Sequence, residues 1–328
     1  PLEQSQMKGI IDKYFRSEPV ADFYISATQL DSIINAAIIA PSPGNNQPWK
    51  WYYSHGVLFL FHDKNKSWSW GDYDEMGAHT ALGTAIENVH LQSGLLKLSD
   101  KVTTFPIKHE PRLIAAIRFE KAEKPVDKIT LDIAESLYVR CANRKLGNRH
   151  LLPAKLYEGI NDIANNSNII KLLYTEKTED LDGLAEILAA CDRIRFLHKQ
   201  AHKELYNEIR WDRHHAESTR DGIELAALDL TPSENAGLQI GKNWDAVSLL
   251  AEWDKGNSFK RLSRKAMRSA SSMVLFAIPK FGDAELVEAG RVIERIWIYA
   301  NKNGVSVHPM LAPIFFFNRL ANNDTQEL

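Results

Sequence analysis

The sequence predicts an α+β fold with an internal duplication and a long insertion in its second half. Runs with helical apolar spacing alternate with strand-like apolar runs along the chain. The pattern G-x-x-I-E begins at Gly83 and again at Gly290, 207 positions later. The pattern L-x-x-x-I-N begins at Leu30 and again at Leu156, 126 positions later. The offset grows by 81 positions, so we expect two halves, 1–125 and 126–328, with an insertion at about 196–269.

The first half opens with helices and continues with strands around one apolar helix. The predicted elements are helices over Gln4–Tyr24 and Leu30–Ile39, strands over Trp49–Tyr53 and Val57–His62, a helix over Ala78–Leu98 and a strand over Arg112–Glu120. Arg16-Ser17, ahead of Pro19, marks a break in the first helix. The helix over 78–98 is apolar on most of its surface, which predicts burial. The charged stretch 120–127 contains a proline and predicts a linker between the halves.

The second half repeats the order helix, strand, core helix. Its predicted elements are helices over Leu131–Arg140 and Leu156–Ile163, a strand over Met273–Pro279, and a second core helix around Gly290. The intervening insertion is charged, contains His and Trp, and is punctuated by Pro and Gly. Long insertions of this kind in compact domains are usually functional lids or disordered segments, and we expect a lid.

Composition excludes several classes of partner. The 328 residues are 44% hydrophobic and 25% charged, as in a soluble globular protein, and the net charge of −2 favours neither nucleic acid nor an anionic membrane. No apolar run reaches membrane-spanning length and no signal peptide is visible. Cys141 and Cys191 form no CxxC pattern, which indicates a reducing compartment, the cytoplasm. The chain starts at Pro1 rather than Met, so we expect a piece of a longer protein.

The loop between the second helix and the first strand is the first candidate binding element. Its residues Pro41, Ser42, Pro43, Asn45 and Gln47 stand in a stretch where Gly and Pro fix a specific turn. Short polar groups beside the aromatic Trp49 suit the rim of a flat heteroaromatic ligand. Composition alone does not distinguish such a rim from an ordinary helix-to-strand turn.

A basic segment is the second candidate. Four cations fall within ten residues near a predicted helix end: Arg140, Arg144, Lys145 and Arg149. Guanidinium groups bind phosphate through charge-assisted, bidentate hydrogen bonds. On charge alone, a solvated basic helix end is the better interpretation.

The third candidate is Asn303–Ala312, which follows the second core helix. An ordinary interpretation, a C-terminal helix cap at Gly304 followed by a strand, explains this segment as well as a binding role does.

Together these segments resemble the nitroreductase superfamily of FMN-binding oxidoreductases. Ala40-Pro41-Ser42, Asn45 and Gln47-Pro48-Trp49 are similar to that family's APS-x-x-N-x-QPW loop, which touches the flavin. The resemblance implies that Arg140 and Arg144 bind the FMN phosphate, with Ala142 where the family usually has a hydroxyl. It also implies that backbone amides at Met310, Leu311 and Ala312 approach the N5 edge of the flavin.

The duplicated pattern resembles the tandem nitroreductase-like proteins of the Acg type, in which one chain folds as a pseudo-dimer. At the offset of 126, Tyr14 and Glu18 stand where the second copy has Arg140 and Arg144, and the second copy has Asn165–Asn168 where the first has the loop. One complete flavin site per chain is therefore implied. A similar tandem module occurs behind a ThiF-like adenylating domain, so an N-terminal domain of that kind is a further expectation.

The function implied is an FMN-dependent oxidoreductase, reduced by NAD(P)H and reoxidised by a nitro, quinone or similar small acceptor. One alternative is a non-catalytic protein that stores or sequesters FMN beneath its lid. A second alternative is a scaffold that has lost FMN, supported by Ala142 and by the lack of the family's last basic strand before Leu328.

Other candidates are weaker. His198 and His202 are four residues apart on a predicted helix but lack a third ligand, so we expect no metal. His214 and His215 are predicted to be solvated residues of the insertion that could line a pocket. Two further sets are a group of tryptophans predicted to lie in the core or at interfaces (Trp51, Trp68, Trp70, Trp211) and a group of arginines predicted to be exposed (Arg193, Arg195, Arg210, Arg213).

Overall fold

The structure is a computed structural model that describes residues 2–15, 23–67, 69–253 and 255–322. The helices are α1 (Gln4–Phe15), α2 (Ala27–Ala37), α3 (Lys64–Ser67), α4 (Met76–Leu95), α5 (Lys128–Ala134), α6 (Ala154–Ser167), α7 (Thr178–Leu197), α8 (Lys199–Glu208), α9 (Arg213–Thr219), α10 (Pro232–Ile240), α11 (Trp244–Glu252), α12 (Arg261–Ser269), α13 (Asp283–Lys302) and α14 (Ala312–Ala321). The strands are β1 (Trp49–Ser54), β2 (Val57–His62), β3 (Leu98–Thr104), β4 (Leu113–Lys121), β5 (Lys171–Thr175), β6 (Ile209–Arg210), β7 (Ile223–Glu224) and β8 (Met273–Ala277).

A four-stranded antiparallel sheet in the order β1-β2-β4-β3 organises the N-terminal part. Strand β2 is buried along its whole length because α2 and α4 cover one face of the sheet and α1 packs on the other. Strand β3 was not predicted, since the core helix was expected to continue to Leu98. The helix ends at Leu95 because Lys97 adopts a left-handed backbone with φ of 59°, which no helix can continue through.

The two long core helices cross at a pair of glycines. A Cβ on Gly83 would overlap the carbonyl group of Val287, and a Cβ on Gly290 would overlap that of Thr80. The Cα atoms of the two glycines are so close that neither position tolerates a side chain. Helices α4 and α13 therefore approach backbone to backbone, and the crossing fixes every segment attached to them.

The C-terminal part has a smaller sheet, the antiparallel pair β5–β8, against which α6 and α13 pack. The predicted helix Leu131–Arg140 is too long in its C-terminal half. Helix α5 ends at Ala134, one separate turn follows at Leu137–Val139, and Arg140 itself is extended with ψ of 123°. Arg140 therefore lies outside the helix, and its side chain does not belong to the helix surface that the sequence predicted.

The segment predicted as an insertion is mostly helical, from α8 to α12, with a two-residue parallel pairing of β6 and β7. It has an apolar cluster of its own around Phe196, Ile209 and Leu238. The predicted break at Arg16-Ser17, together with Glu18, Pro19 and Trp68, lies outside the described residues. Within the described ranges, no helix is both long and apolar enough to cross a bilayer.

Candidate functional site

The loop Pro41–Trp49 has a defined and strained backbone. Gly44, Asn45 and Gln47 adopt left-handed conformations with φ of 57°, 54° and 51°. Ser42 Oγ accepts a hydrogen bond from Gln47 N at 3.0 Å, and the Pro41 carbonyl accepts one from Thr84 Oγ1 of α4 at 3.1 Å. Residues held in sparsely populated conformations concentrate at ligand-binding sites. The loop is therefore anchored on the core helix rather than free to move.

Segments of the insertion lie directly on this loop. Gln47 Nε2 donates to the Arg220 carbonyl at 2.6 Å, and Gly222 N donates to the Asn45 carbonyl at 3.3 Å. A Cβ on Gly44 would come within 2.6 Å of Glu208 Cδ. Contact between the insertion and the loop thus includes both backbone hydrogen bonds and a buried carboxyl group.

Arg140 is engaged within the protein. Its Nη2 donates to the Ile39 carbonyl at 2.7 Å, next to the start of the loop, and its Nε lies 3.0 Å from Glu294 Oε1. The guanidinium group also lies 5.1 Å from the ring centre of Trp297. Only 11% of the side chain is exposed. Arg140 joins the loop to α13, and a phosphate-binding role for it stays a prediction.

Glu294 is a buried carboxyl group of unusual environment. Neither of its oxygens accepts a hydrogen bond within the described residues, although Arg140 is in ion-pair distance. Complete burial raises the pKa of Glu294 to about 8, while Arg140 acts in the opposite direction. Glu294 was not predicted as part of the site. The sequence feature that marked it was its match to Glu87 in the repeated G-x-x-I-E pattern.

Arg144 is in the opposite situation to Arg140. It is half-buried, and within the described ranges it has no hydrogen bond and no carboxylate within 4 Å. Burial lowers its pKa, and the nearest charge that acts against this is Glu208. A half-buried cation without a partner is costly in a folded protein and suits an anionic ligand.

The predicted segment after the second core helix lies beside Arg144. Asn143 N donates to the Val307 carbonyl at 2.9 Å, and Asn143 Nδ2 donates to Ser306 Oγ at 2.9 Å. Ala142 and Val307 form a parallel bridge, which brings the two second-half candidates side by side. Burial, and secondarily Arg144, lower the pKa of His308 to about 4, so its imidazole is neutral at pH 7.

The three residues expected at the flavin edge differ in their surroundings. Met310 packs against the apolar cluster of α7 and α12, and Ala312 packs against the cluster that contains Trp70 and Phe316. Leu311 is 38% exposed and immediately precedes α14. The chain therefore enters a helix after Leu311, and the amides near it belong to a helix start.

Glu208 is the residue that sequence reasoning missed. Its side chain is 20% exposed, lies against Gly44, and has Arg195 Nη2 at 3.9 Å. Burial raises the pKa of Glu208, opposed by Arg195, Arg210 and Arg144. No motif surrounds Glu208 in the sequence, so only the fold could reveal that it lies against the loop and that its charge acts on Arg144.

The weaker candidates have ordinary partners. His198 caps α8 and stacks on Trp70 with ring centres 4.1 Å apart, and His202 Nε2 bonds the Gly241 carbonyl at 2.7 Å. The burial predicted for Trp70 is confirmed, at 6% exposure. The expected exposure is confirmed for Arg213, with 84% of the side chain exposed, and is wrong for Arg210, which pairs with Asp221 at 2.6 Å and is 13% exposed.

Comparison with known proteins gives remote similarity to nitroreductase-type proteins. No protein-family model matches the chain. An uncharacterized protein of Mycobacterium tuberculosis (strain CDC 1551 / Oshkosh) is 27% identical over 290 residues, which cover 88% of this chain and 39% of that protein. The "Putative NAD(P)H nitroreductase acg" of the same organism is 26% identical over 102 residues, 31% of each chain. The chain thus spans well under half the length of the curated relatives it matches.

The solved structures that match include a "putative nitroreductase in complex with fmn" from Desulfovibrio desulfuricans. It shares 18% identity, covers 36% of this chain and 89% of its own, and gives a TM-score of 0.26. A TM-score this low carries no argument about fold or function. The relationship to nitroreductase-like proteins therefore rests on the sequence similarity.

Proposed function

We propose that this chain binds one FMN between the loop Pro41–Trp49 and the paired segments 140–145 and 305–312. The observation that carries the proposal is the convergence of these three segments. Arg140 donates to the Ile39 carbonyl next to the start of the loop, Asn143 N donates to the Val307 carbonyl, and Glu208 lies against Gly44 and acts electrostatically on Arg144. These contacts between segments distant in sequence support a single site at the residues for which the sequence resemblance implies a flavin.

The available donors fit the phosphate of FMN. Among the described residues Arg144 has no anionic partner within 4 Å, so a phosphate would supply the charge that its environment lacks. His308, held neutral beside it, can donate one ring N–H or take up a proton. Arg140 holds the loop in place through Ile39, with Nη1 as its remaining nitrogen for a ligand.

When bound, FMN would supply hydride chemistry between NAD(P)H and a nitro, quinone or similar acceptor. The protein contributes position, charge and exclusion of water. Ser42 and Thr84 fix the loop that would face the rings, and Met310, Leu311 and Ala312 would contribute the other side of the proposed site. Glu208 is the nearest ionisable group that could exchange a proton with a substrate at the loop.

We further propose that the two halves arose by duplication, with the core-helix crossing as the pseudo-twofold axis. Gly83 and Gly290 hold equivalent places in the repeat and contact each other, as self-complementary interfaces require. The following glutamates are equivalent too. Glu87 accepts from Arg291 at 3.0 Å and contacts Arg295, while Glu294 faces Arg140, so each core helix buries one glutamate opposite arginine.

The insertion is proposed to act as a lid over the site. Its hydrogen bonds to Asn45 and Gln47, and the position of Glu208 against Gly44, support a closed conformation that a ligand must displace. This feature also favours the second candidate function, an FMN store without turnover, because a closed lid would block a hydride donor.

The test is the cofactor content of purified protein. The proposal expects one FMN per chain, identified after release, and NADH or NADPH should reduce it slowly in stopped flow because lid opening limits access. Saturation by two equal FMN molecules, or none under any loading condition, would refute the FMN site. If FMN binds but neither NADH nor NADPH reduces it, the result would support the storage function instead of the oxidoreductase.

A further inference from the structure

A second cluster of ligand-type side chains lies at the start of α4, where β2 ends beside the last residue of the loop. His62 ends β2, Glu75 immediately precedes α4, and His79 lies in the first turn of α4. One ligand atom from each residue lies within 4.8 Å of the others. The two imidazole rings meet edge to face with centres 5.5 Å apart.

The two histidines are buried without complete hydrogen bonding. His62 is 1% exposed and His79 is 4% exposed, and neither Nδ1 atom has a hydrogen-bond partner within the described residues. Buried nitrogen lone pairs without partners destabilise a protein unless something binds them. We therefore expect each Nδ1 lone pair to bind a metal ion or to accept a hydrogen bond.

The outer contacts of the cluster orient the rings as metal ligands are oriented. His62 Nε2 is 2.6 Å from Ser67 Oγ, so the proton can reside on Nε2 and leave Nδ1 as a lone pair.

The backbone and the charges around Glu75 fit a cation. Asp74 and Glu75 are consecutive left-handed residues with φ of 57° and 56°, a strained arrangement that the surrounding structure must maintain. Lys64 Nζ lies 2.7 Å from Glu75 Oε2, which places a positive charge beside the cluster already. Asp283 Oδ1 lies 3.6 Å from His79 Nδ1.

We propose that His62, Glu75 and His79 bind a divalent first-row transition metal ion, with zinc as the first candidate. Two imidazoles and one carboxylate are a known ligand set for Zn²⁺, whereas Mg²⁺ and Ca²⁺ prefer oxygen ligands throughout. Asp283, whose side chain is 56% exposed, or a water molecule completes the coordination. Lys64, 50% exposed, turns into solvent when the ion takes its place.

The helix starts of α4 and α13 oppose this assignment in part, since helix N-termini disfavour cations. The carboxylates of Glu75 and Asp283 offset them, because together they neutralise a divalent ion. A bound ion would connect β2, α4 and α13, and α4 carries the Thr84 anchor of the loop. The proposed metal site is thus structural. It adjoins the end of the loop, because His62 pairs with Trp49, but its ligands differ from the residues proposed to bind FMN.

No metal site was predicted here because the spacing of the three residues follows no known pattern. His62 and Glu75 are thirteen positions apart and lie on different elements, and only Glu75 and His79 share a helical spacing. The expectation of no metal rested on His198 and His202, whose rings have other partners.

The test uses tag-free, chelator-treated full chain titrated with Co²⁺ alone, followed by visible ligand-field absorption, with Zn²⁺ as competitor. We expect one Co²⁺ per chain, displaced by one Zn²⁺. His79→Gln should weaken binding by about 100-fold or more and Glu75→Gln by about tenfold. His90→Gln is the matched control, because His90 lies on the same helix and bonds Asp100 at 2.8 Å; its affinity should equal that of wild type.

Lys64→Met should change the Co²⁺ affinity in the opposite direction. Removal of the competing ammonium should tighten Co²⁺ binding by about threefold or more, an effect that general destabilisation would not produce. Absence of stoichiometric binding at micromolar Co²⁺, or equal affinities in wild type, Glu75→Gln and His79→Gln, would overturn the proposal. Glu75 is partly exposed, so its variant keeps the test valid even if a histidine variant does not fold.

Discussion

Arg140 and Arg144 stand four residues apart, and the sequence offered them as one phosphate-binding pair. The structure places them in contrasting environments. Arg140 contacts Glu294, the Ile39 carbonyl and the Trp297 ring, whereas Arg144 has no carboxylate within 4 Å among the described residues. A guanidinium group whose partners lie within the protein supports the fold, and one without such partners is available to a ligand. The same residue type in one motif can therefore have two different roles.

The largest effect should follow from Arg140→Ala. At pH 9, above the pKa of Glu294, the substitution leaves the buried Glu294 carboxylate without its cation and the Ile39 carbonyl without its donor, so we expect a loss of about 3 kcal/mol or more in the free energy of unfolding. Denaturant unfolding measures it. FMN and riboflavin affinities should fall together, since the loop moves. Lys145→Ala, at an exposed neighbouring position, is the control and should change stability by less than about 0.5 kcal/mol.

Glu294→Gln should change the pH dependence of stability. Burial holds the native pKa of Glu294 at about 8, above its ordinary value of 4.5, so the native state retains a proton that the unfolded state loses. The associated stability is complete below pH 4.5 and is lost as pH rises towards 8. Relative to wild type, the variant should therefore gain roughly 2–4 kcal/mol between pH 5 and pH 8. A difference that does not vary with pH would contradict the assignment.

Gln47→Ala should loosen the proposed lid. It removes the hydrogen bond from Nε2 to the Arg220 carbonyl, which contributes about 0.5–1.5 kcal/mol. FMN association measured by stopped-flow fluorescence should become about two- to tenfold faster. Asn46→Ala changes a neighbouring amide without a side-chain hydrogen bond among the described residues, and its rate should match wild type. Equal rates for Gln47→Ala and wild type would argue against the lid.

The smallest effect concerns His308. Its pKa in the free protein is about 4, and a phosphate bound beside Arg144 would raise that pKa, so binding takes up a proton. FMN affinity should then rise by about threefold as pH falls from 8 to 6, and His308→Gln should abolish that dependence. Riboflavin, which lacks the phosphate, should show none in either protein. A pH dependence shared by riboflavin would place the titrating group elsewhere.

Local pattern predicted the first half well. The bounds of β2, Val57–His62, were predicted from an apolar run alone, and the turn at Pro41–Trp49 followed from Gly and Pro chemistry. The glycines of the core-helix crossing were visible as a repeated pattern, because close backbone approach leaves a glycine signature. These features could be predicted because each depends on residues close together in the sequence, or on the conformational properties of a single residue type such as glycine.

What the sequence could not provide depends on distant partners. Nothing local separates Arg140 from Arg144, because the difference comes from Glu294, 154 positions away. Glu208 approaches Gly44 only because the insertion folds back over the loop. The cluster of His62, Glu75 and His79 forms where a strand end meets a helix start. Strand β3 was missed because a left-handed lysine, rather than a Gly or Pro, ends the preceding helix.

The most direct test of the central proposal is the affinity of Arg144→Ala for FMN and for riboflavin, measured beside wild type by isothermal titration calorimetry. A hydrogen bond to a charged group contributes roughly 1.5–3 kcal/mol, so FMN binding should weaken by about ten- to a hundredfold. Riboflavin affinity should stay within about twofold of wild type, because the substitution removes only a phosphate contact. Equal losses for both ligands, or unchanged FMN affinity, would contradict the assignment of the phosphate to Arg144.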